Sequence, residues 1–277
     1  MTTDSGAPAA GSEVVPFPDD DPPLVRIAAA GDVGTGGRRE WQTATAMARL
    51  GDVRAYDALV LLGDNAYPNG DPARLRTTVF DPFHEVLDAG SELLAVLGNH
   101  DVRDGNAERQ VEALGVPGRW YARHIGPVLV VALDSTDPGD PEQKRWLERT
   151  LASASEPWRI VALHHPPYSA GRHGSSRDVR AAFEDLFRRH GVQLVLAGHD
   201  HDYQRSVPID GITYVVSGGA ATLRPTGRED FTAVSWSDYH FLDVAIWADR
   251  LQLRAVGQDG LVRDQLDLAI PAARGGG

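Results

Sequence analysis

Five short blocks of the chain set carboxylates, imidazoles, an amide and a phenol at the ends of apolar runs. They are Gly31-Asp32, Gly63-Asp64 with Tyr67, Gly98-Asn99-His100-Asp101, Val161 to His164, and Gly198-His199-Asp200-His201. These side chains offer nitrogen and oxygen donors, the chemistry of a site for a hard or borderline metal ion. The chain has no cysteine, which removes thiolate ligands and disulfides from consideration. One block alone means little, because Gly, Asn and Asp suit turns and an Asp after a strand commonly caps a helix. Five blocks drawing on the same donor types point to one metal centre. In four of them a glycine precedes the donors, which lets the backbone turn sharply and approach an ion closely.

Such a centre needs elements that bring five distant segments together. The runs LVRIAAAGD, ALVLLGDN, LLAVLGNH, VLVVALDS, RIVALHHP and VQLVLAGHDH are short, rich in Val, Leu, Ile and Ala, and bounded by turn residues. That is the pattern of strands buried on both faces. Helical periodicity fills intervals at Glu40 to Leu50, Glu142 to Leu151 and Arg177 to His190, so the first two-thirds of the chain predicts an α/β arrangement. In such sheets function gathers beyond the carboxyl ends of the strands, and the five blocks stand there. From Ile212 onward come ITYVVSGG, FTAVSW, YHFLDVAIW, RLQLRAVG and LVRDQLDL, with tight turns at Ala248-Asp249 and Asp259-Gly260. They predict antiparallel strands that form a second sheet or join a mixed one, giving an α/β fold class with α+β character.

One body, residues 24–270, is expected between two loose ends. Residues 1–23 are rich in Pro, Ala, Gly, Ser and Asp and carry too little apolar material to offset the entropy of ordering, so a disordered tail is predicted. Residues 271–277, PAARGGG, read as a second loose tail.

The series GDVG, GDNAY, GNHD, VALH and GHDH resembles the metallophosphoesterases of the calcineurin-like superfamily, and within it the purple acid phosphatase branch. The marks of that branch are the Gly after GDV, where most relatives place a His, and the Tyr three residues after Asp64. Order and spacing agree from about residue 26 to 218, and QKRWLERTL and YVVSGGA are similar to further segments of the family. The chain departs from it in being short and in lacking the additional N-terminal domain of plant members.

The resemblance implies a four-layer sandwich, with two central mixed β-sheets flanked by helices, as a single catalytic domain. It implies two metal ions bridged by Asp64. Asp32, Asp64, Tyr67 and His201 would hold one; Asp64, Asn99, His164 and His199 would hold the other. Donor chemistry agrees, since carboxylate and phenolate oxygens favour Fe(III) while a His-rich, amide-containing set suits Fe(II), Zn(II) or Mn(II). A phenol ordinarily titrates near ~10, and a highly charged ion is what makes Tyr67 bind as phenolate. Two ions about 3.5 to 4 Å apart can hold a phosphoryl oxygen and activate hydroxide for in-line attack.

The implied activity is phosphoric monoester hydrolysis. A phosphodiesterase or pyrophosphohydrolase is the alternative on the same centre, and a non-catalytic phosphate- or metal-binding relative is the alternative of another class. Proton donors come next. His100, with Asp101 orienting it, and His173, nine residues after His164, are the candidates, with His173 expected to protonate the leaving group and His100 to position phosphate.

Other histidines read as structural: His84 and His190 as surface or capping residues in helical patterns, His124 and His240 as strand neighbours without a sequence partner. His165, beside a ligand, reads equally as a support to the site or as structural. GDVGTGG lacks the Gly-Lys-Ser/Thr ending of a nucleotide phosphate loop. Counted from Gly34, it also has Arg39 where the dinucleotide fingerprint needs its third glycine. No Gly-x-Ser-x-Gly elbow of a serine hydrolase occurs. A formal charge of −12 disfavours a broad nucleic-acid-binding face, and no apolar run approaches the length of a membrane-spanning helix. The expected partner is a small phosphate ester, with neither nucleic acid nor membrane. With no signal peptide in the sequence, a cytoplasmic location is expected, or an extracellular one if a native leader is missing.

Overall fold

The computed structural model describes residues 11–14, 17 and 20–270. The first half of the chain runs β1 (Ser12–Glu13), β2 (Val25–Ala30), α1 (Arg38–Gly51), β3 (Ala58–Leu62), α2 (His84–Asp88), β4 (Glu92–Val96), α3 (Ala107–Leu114), β5 (Tyr121–Ile125) and β6 (Val128–Ala132). The second runs α4 (Pro141–Ser153), β7 (Trp158–Ala162), α5 (Arg177–Arg189), β8 (Leu194–Ala197), β9 (Tyr203–Ser206), β10 (Thr213–Ser217), β11 (Thr232–Trp236), β12 (His240–Ile246), β13 (Arg250–Gly257) and β14 (Leu261–Ala269). They build two seven-stranded mixed sheets, in the orders β1-β14-β13-β12-β2-β3-β4 and β11-β9-β10-β8-β7-β6-β5.

Burial explains the layers. Alternate residues of the second sheet divide between two cores: Val128, Val130, Trp158, Ile160, Leu194 and Leu196 face the first sheet. Leu129, Val131, Val161 and Val195 face Leu147 and Leu151 of α4 and Phe183 and Phe187 of α5. Both faces of these strands are therefore buried, which is why they read as unbroken apolar runs. Helix α4 starts where it does because Asp140 accepts from Glu142 N and Gln143 N, with Pro141 at the first helical position. Helix α1 covers the first sheet through Ala44, Met47 and Ala48. Tyr203 Oη donates to Asp264 Oδ2 at 2.7 Å and Trp158 Nε1 to Trp247 O at 2.9 Å, tying the sheets together.

The parallel strands are β2-β3-β4 in one sheet and β6-β7-β8-β10 in the other. The C-terminal strands make no sheet of their own. β10 pairs in parallel with β8, whereas β12, β13 and β14 form an antiparallel meander beside β2. Strands β5 and β9 were not predicted. Part of the segment read as a disordered tail is ordered: Ser12 and Glu13 pair with Val262 and Leu261, and Phe17 meets Trp247 edge-on at 5.4 Å. A free sheet edge and the Trp247 ring supply the partners that composition alone does not reveal. The rest of that segment, residues 1–10, 15, 16, 18 and 19, and the expected C-terminal tail, residues 271–277, lie outside the described residues.

Candidate metal centre

Parallel strands of both sheets end at the same place, and the loops after them interlock. Asp32 N donates to Gly63 O at 3.0 Å and Gly34 N to Asp64 O at 2.9 Å. Asp32, Asp64 and His199 hold φ of 59°, 55° and 72°, a left-handed conformation that costs about 1–3 kcal/mol for a non-glycine residue and persists where surroundings enforce it. Here the enforcement is contact between loops. A Cβ on Gly98 would lie 2.2 Å from Asp64 Oδ1, and one on Gly198 would lie 2.7 Å from Asp32 Oδ2.

All seven donors named from sequence meet there. Tyr67 Oη lies 3.1 Å from Asp32 Oδ1 and 3.3 Å from His201 Nε2, and the last two atoms are 3.3 Å apart. His164 Nε2 lies 3.1 Å from Asn99 Oδ1, 3.1 Å from His199 Nδ1 and 3.6 Å from Asp64 Oδ1. Asp32, Asp64 and His164 each offer an atom within 4.8 Å of the others, which joins the two groups. Donors about 2.0–2.2 Å from one ion stand roughly 3 to 3.5 Å apart, so both groups have the spacing of ligand sets.

Hydrogen-bond roles test whether a cation fits. His164 Nδ1 donates to Leu62 O at 2.8 Å, so the neutral ring turns a lone pair from Nε2 toward the lone pairs of Asn99 Oδ1. A positive charge makes that approach favourable, either a second proton on the ring or a metal ion in its place. Asp32 and Asp64 are buried, and among the described residues their ion-pair partners are histidines, with no Arg or Lys. Burial pulls His164 down, yet the charges of Asp64 and Asp32 outweigh it and hold the ring above the ordinary histidine range. Burial raises the Tyr67 phenol, and Asp32 and Asp64 raise it further, so ionising it needs a strong cation at Asp32 and His201. The residues present fit two metal ions.

The three acid-base candidates fare differently. His100 N donates to Asp64 Oδ1 at 2.9 Å and its Nδ1 lies 2.6 Å from Pro68 O, leaving Nε2 4.0 Å from Asp64 Oδ2. The ring of exposed His173 lies tilted against His199, with centroids 4.3 Å apart, and Arg224 Nη1 contacts its Nε2. Burial and Arg224 lower its pKa against the pull of Asp200. Asp101 is not placed to orient His100. Its buried carboxylate accepts from Asn65 N, Ala66 N, Gly98 N and Asn65 Nδ2, which fastens the loop of Asp64 to the loop of Asn99.

A model of the family described as "Calcineurin-like phosphoesterase" matches residues 25–203. The chain belongs to the calcineurin-like phosphoesterases. Human tartrate-resistant acid phosphatase type 5 is 28% identical over 247 aligned residues, covering 74% of this chain and 76% of that one. Purple acid phosphatase 21 of Arabidopsis thaliana is 26% identical over 211, covering 67% and 46%. These relatives set this calcineurin-like phosphoesterase in the purple acid phosphatase-like branch and mark it as a metal-dependent phosphatase. Among solved structures, GAP50, described as the anchor in the inner membrane complex of Plasmodium, superposes with a TM-score of 0.80 at 17% identity over 90% of each chain. That likeness shows the fold alone.

Sequence reasoning missed three groups around this phosphoesterase site. Ser135 Oγ accepts from His164 N and His165 N, Thr222 Oγ1 lies 2.6 Å from His201 Nδ1, and Arg224 stands beside His173. Ser135 ends the apolar run VLVVALDS and was findable as one more strand end; Thr222 and Arg224 lie in a loop with no such signal. The histidines read as structural find ordinary partners. His84 Nδ1 meets Asp81 O, His190 bonds Glu148 at the end of α5, His124 pairs with Glu156, and His240 lies between Ser217 and Asp238.

Proposed function

We propose that the protein is a dinuclear-metal phosphomonoesterase of the purple acid phosphatase type, acting on small phosphate esters. The observation that carries the reading is the pair of donor groups joined through Asp64, with His164 Nε2 and Asn99 Oδ1 turned toward each other at 3.1 Å. Asp32, Asp64, Tyr67 and His201 would hold Fe(III), and Asp64, Asn99, His164 and His199 a divalent Fe, Zn or Mn. When bound, the two ions supply positive charge for the phosphate oxygens and an acidified water for direct in-line attack. Iron on Tyr67 predicts a visible charge-transfer colour that Tyr67→Phe removes; colour that survives the substitution excludes phenolate on iron.

The protein's own groups position ester and proton. His100 gives its Nδ1 proton to Pro68 O, so only the doubly protonated imidazolium carries an Nε2–H for the leaving alkoxide. His173 Nε2 accepts from the Arg224 guanidinium, a group that only donates, so that nitrogen carries no proton while the contact holds. The acid role therefore passes to His100, and His173 with Arg224 becomes an anion-holding pair. Turnover of a chromogenic phosphomonoester beside the matching diester tests the reading: monoester preference supports it, and faster diester hydrolysis replaces it with a phosphodiesterase.

A further inference from the structure

His165 directly follows a proposed ligand, and one of its ring nitrogens lies within 4.8 Å of ring nitrogens of His164 and His199. Position alone would make it another ligand. Its partner argues otherwise. Ser135 Oγ receives His164 N at 3.1 Å and His165 N at 2.8 Å, and lies 3.0 Å from His165 Nδ1. A hydroxyl has two acceptor lone pairs and one proton. The two backbone donors fill the lone pairs, so the Ser135 proton is left for Nδ1, which must accept it.

A metal-binding imidazole uses its other nitrogen as a donor to a carbonyl, carboxylate or water. His164 does so, giving Nδ1–H to Leu62 O. His201 can do so, because Thr222 Oγ1 has no other partner among the described residues. His165 cannot, since a proton on Nδ1 would be a third donor aimed at a hydroxyl with no lone pair left. Its proton therefore belongs on Nε2, which has no hydrogen-bond partner among the described residues. The half-buried ring stands 4.6 Å from His199 and 4.9 Å from His164, at the edge of the same ligand group.

We infer that Ser135 locks His165 into the tautomer with Nε2–H, and that His165 donates this hydrogen to a phosphate oxygen of bound substrate instead of ligating metal. The inference rests on the phosphatase reading above and names a substrate-positioning group for it. Three readouts on the zinc-loaded protein test it. Long-range proton–nitrogen NMR of the imidazoles, with His165 assigned by its loss in His165→Phe, should show Nε2 protonated and Nδ1 accepting, and Ser135→Ala should disturb that pattern. Zinc content should stay at the wild-type value in His165→Phe and His165→Gln. Affinity for inorganic phosphate should fall about tenfold or more in His165→Phe, the scale of one lost hydrogen bond to a charged group. It should be largely retained in His165→Gln, whose amide N–H reaches the place of Nε2.

Loss of zinc in His165→Phe, with thermal melting showing the fold intact, would make His165 a ligand and overturn the inference. So would unchanged phosphate affinity in His165→Phe, or a proton on Nδ1. A wild-type protein that holds neither zinc nor phosphate overturns the phosphatase reading and this inference together, a result distinct from selective loss in the variants.

Discussion

His100 and His173 differ by what lies against each ring. A carbonyl fixes one proton of His100 and leaves Nε2 facing the Asp64 carboxylate, while a guanidinium occupies Nε2 of His173. An alkoxide leaving group needs a proton as its bond to phosphorus breaks and a nitrophenolate needs little, so loss of the acid falls mainly on alkyl esters. His100→Ala should lower kcat/KM for an alkyl phosphate about a hundredfold or more, with a much smaller loss on nitrophenyl phosphate. His173→Ala should weaken both substrates alike, through binding. Metal content confirmed in each variant makes the comparison valid, and the reverse pattern would return the acid role to His173. At this scale the meeting of the seven donors was legible because each stands in a short block at a strand end. Asp101 was misread because its neighbour in sequence, His100, is not its partner in space. Ser135, Thr222 and Arg224 act across gaps of roughly 20 to 50 residues that no local pattern marks.

The elements make the site by ending together. Strands β2, β3 and β4 and strands β7 and β8 bring their carboxyl ends to one place, and glycine lets the loops pass. Gly98 illustrates the constraint, since a methyl there would meet Asp64 Oδ1 at 2.2 Å and Asp64 N at 2.3 Å. Gly98→Ala should displace Asp64 and cost metal affinity, while α4 and α5, packed on the far face of the second sheet, keep their helicity. Metal titration beside circular dichroism checks this, and full metal binding in the variant would show that the loop can give way. Strands buried on both faces were legible as apolar runs. Strand β9 was not, because its Tyr203 and Arg205 spend polar groups on Asp264 of β14 and so break the run. The partition of the C-terminal strands between two sheets was also hidden, because pairing partners lie far away in sequence.

Across the whole molecule the sheets meet at buried polar links as well as apolar ones. His240 of β12 lies between Ser217 Oγ of β10 at 2.9 Å and Asp238 O at 2.9 Å, and burial lowers its pKa from 6.5 to about 4. Between those values the folded protein binds fewer protons at this ring than the unfolded chain. Its contribution is complete above pH 6.5 and is lost as pH falls toward about 4, a change of about 3 kcal/mol. Urea unfolding at neutral pH and near the lower limit should show this loss in the wild type and a flatter dependence in His240→Gln; equal slopes would remove His240 from the balance. In the proposed function the two sheets serve to set two donor groups on either side of Asp64. Elemental analysis of wild type and Asp64→Asn, each scored against phosphomonoester turnover, is the most direct test of that claim. The account predicts two metal ions per wild-type chain, with the substitution losing metal and activity together while the fold remains; full turnover by protein without stoichiometric metal would contradict it.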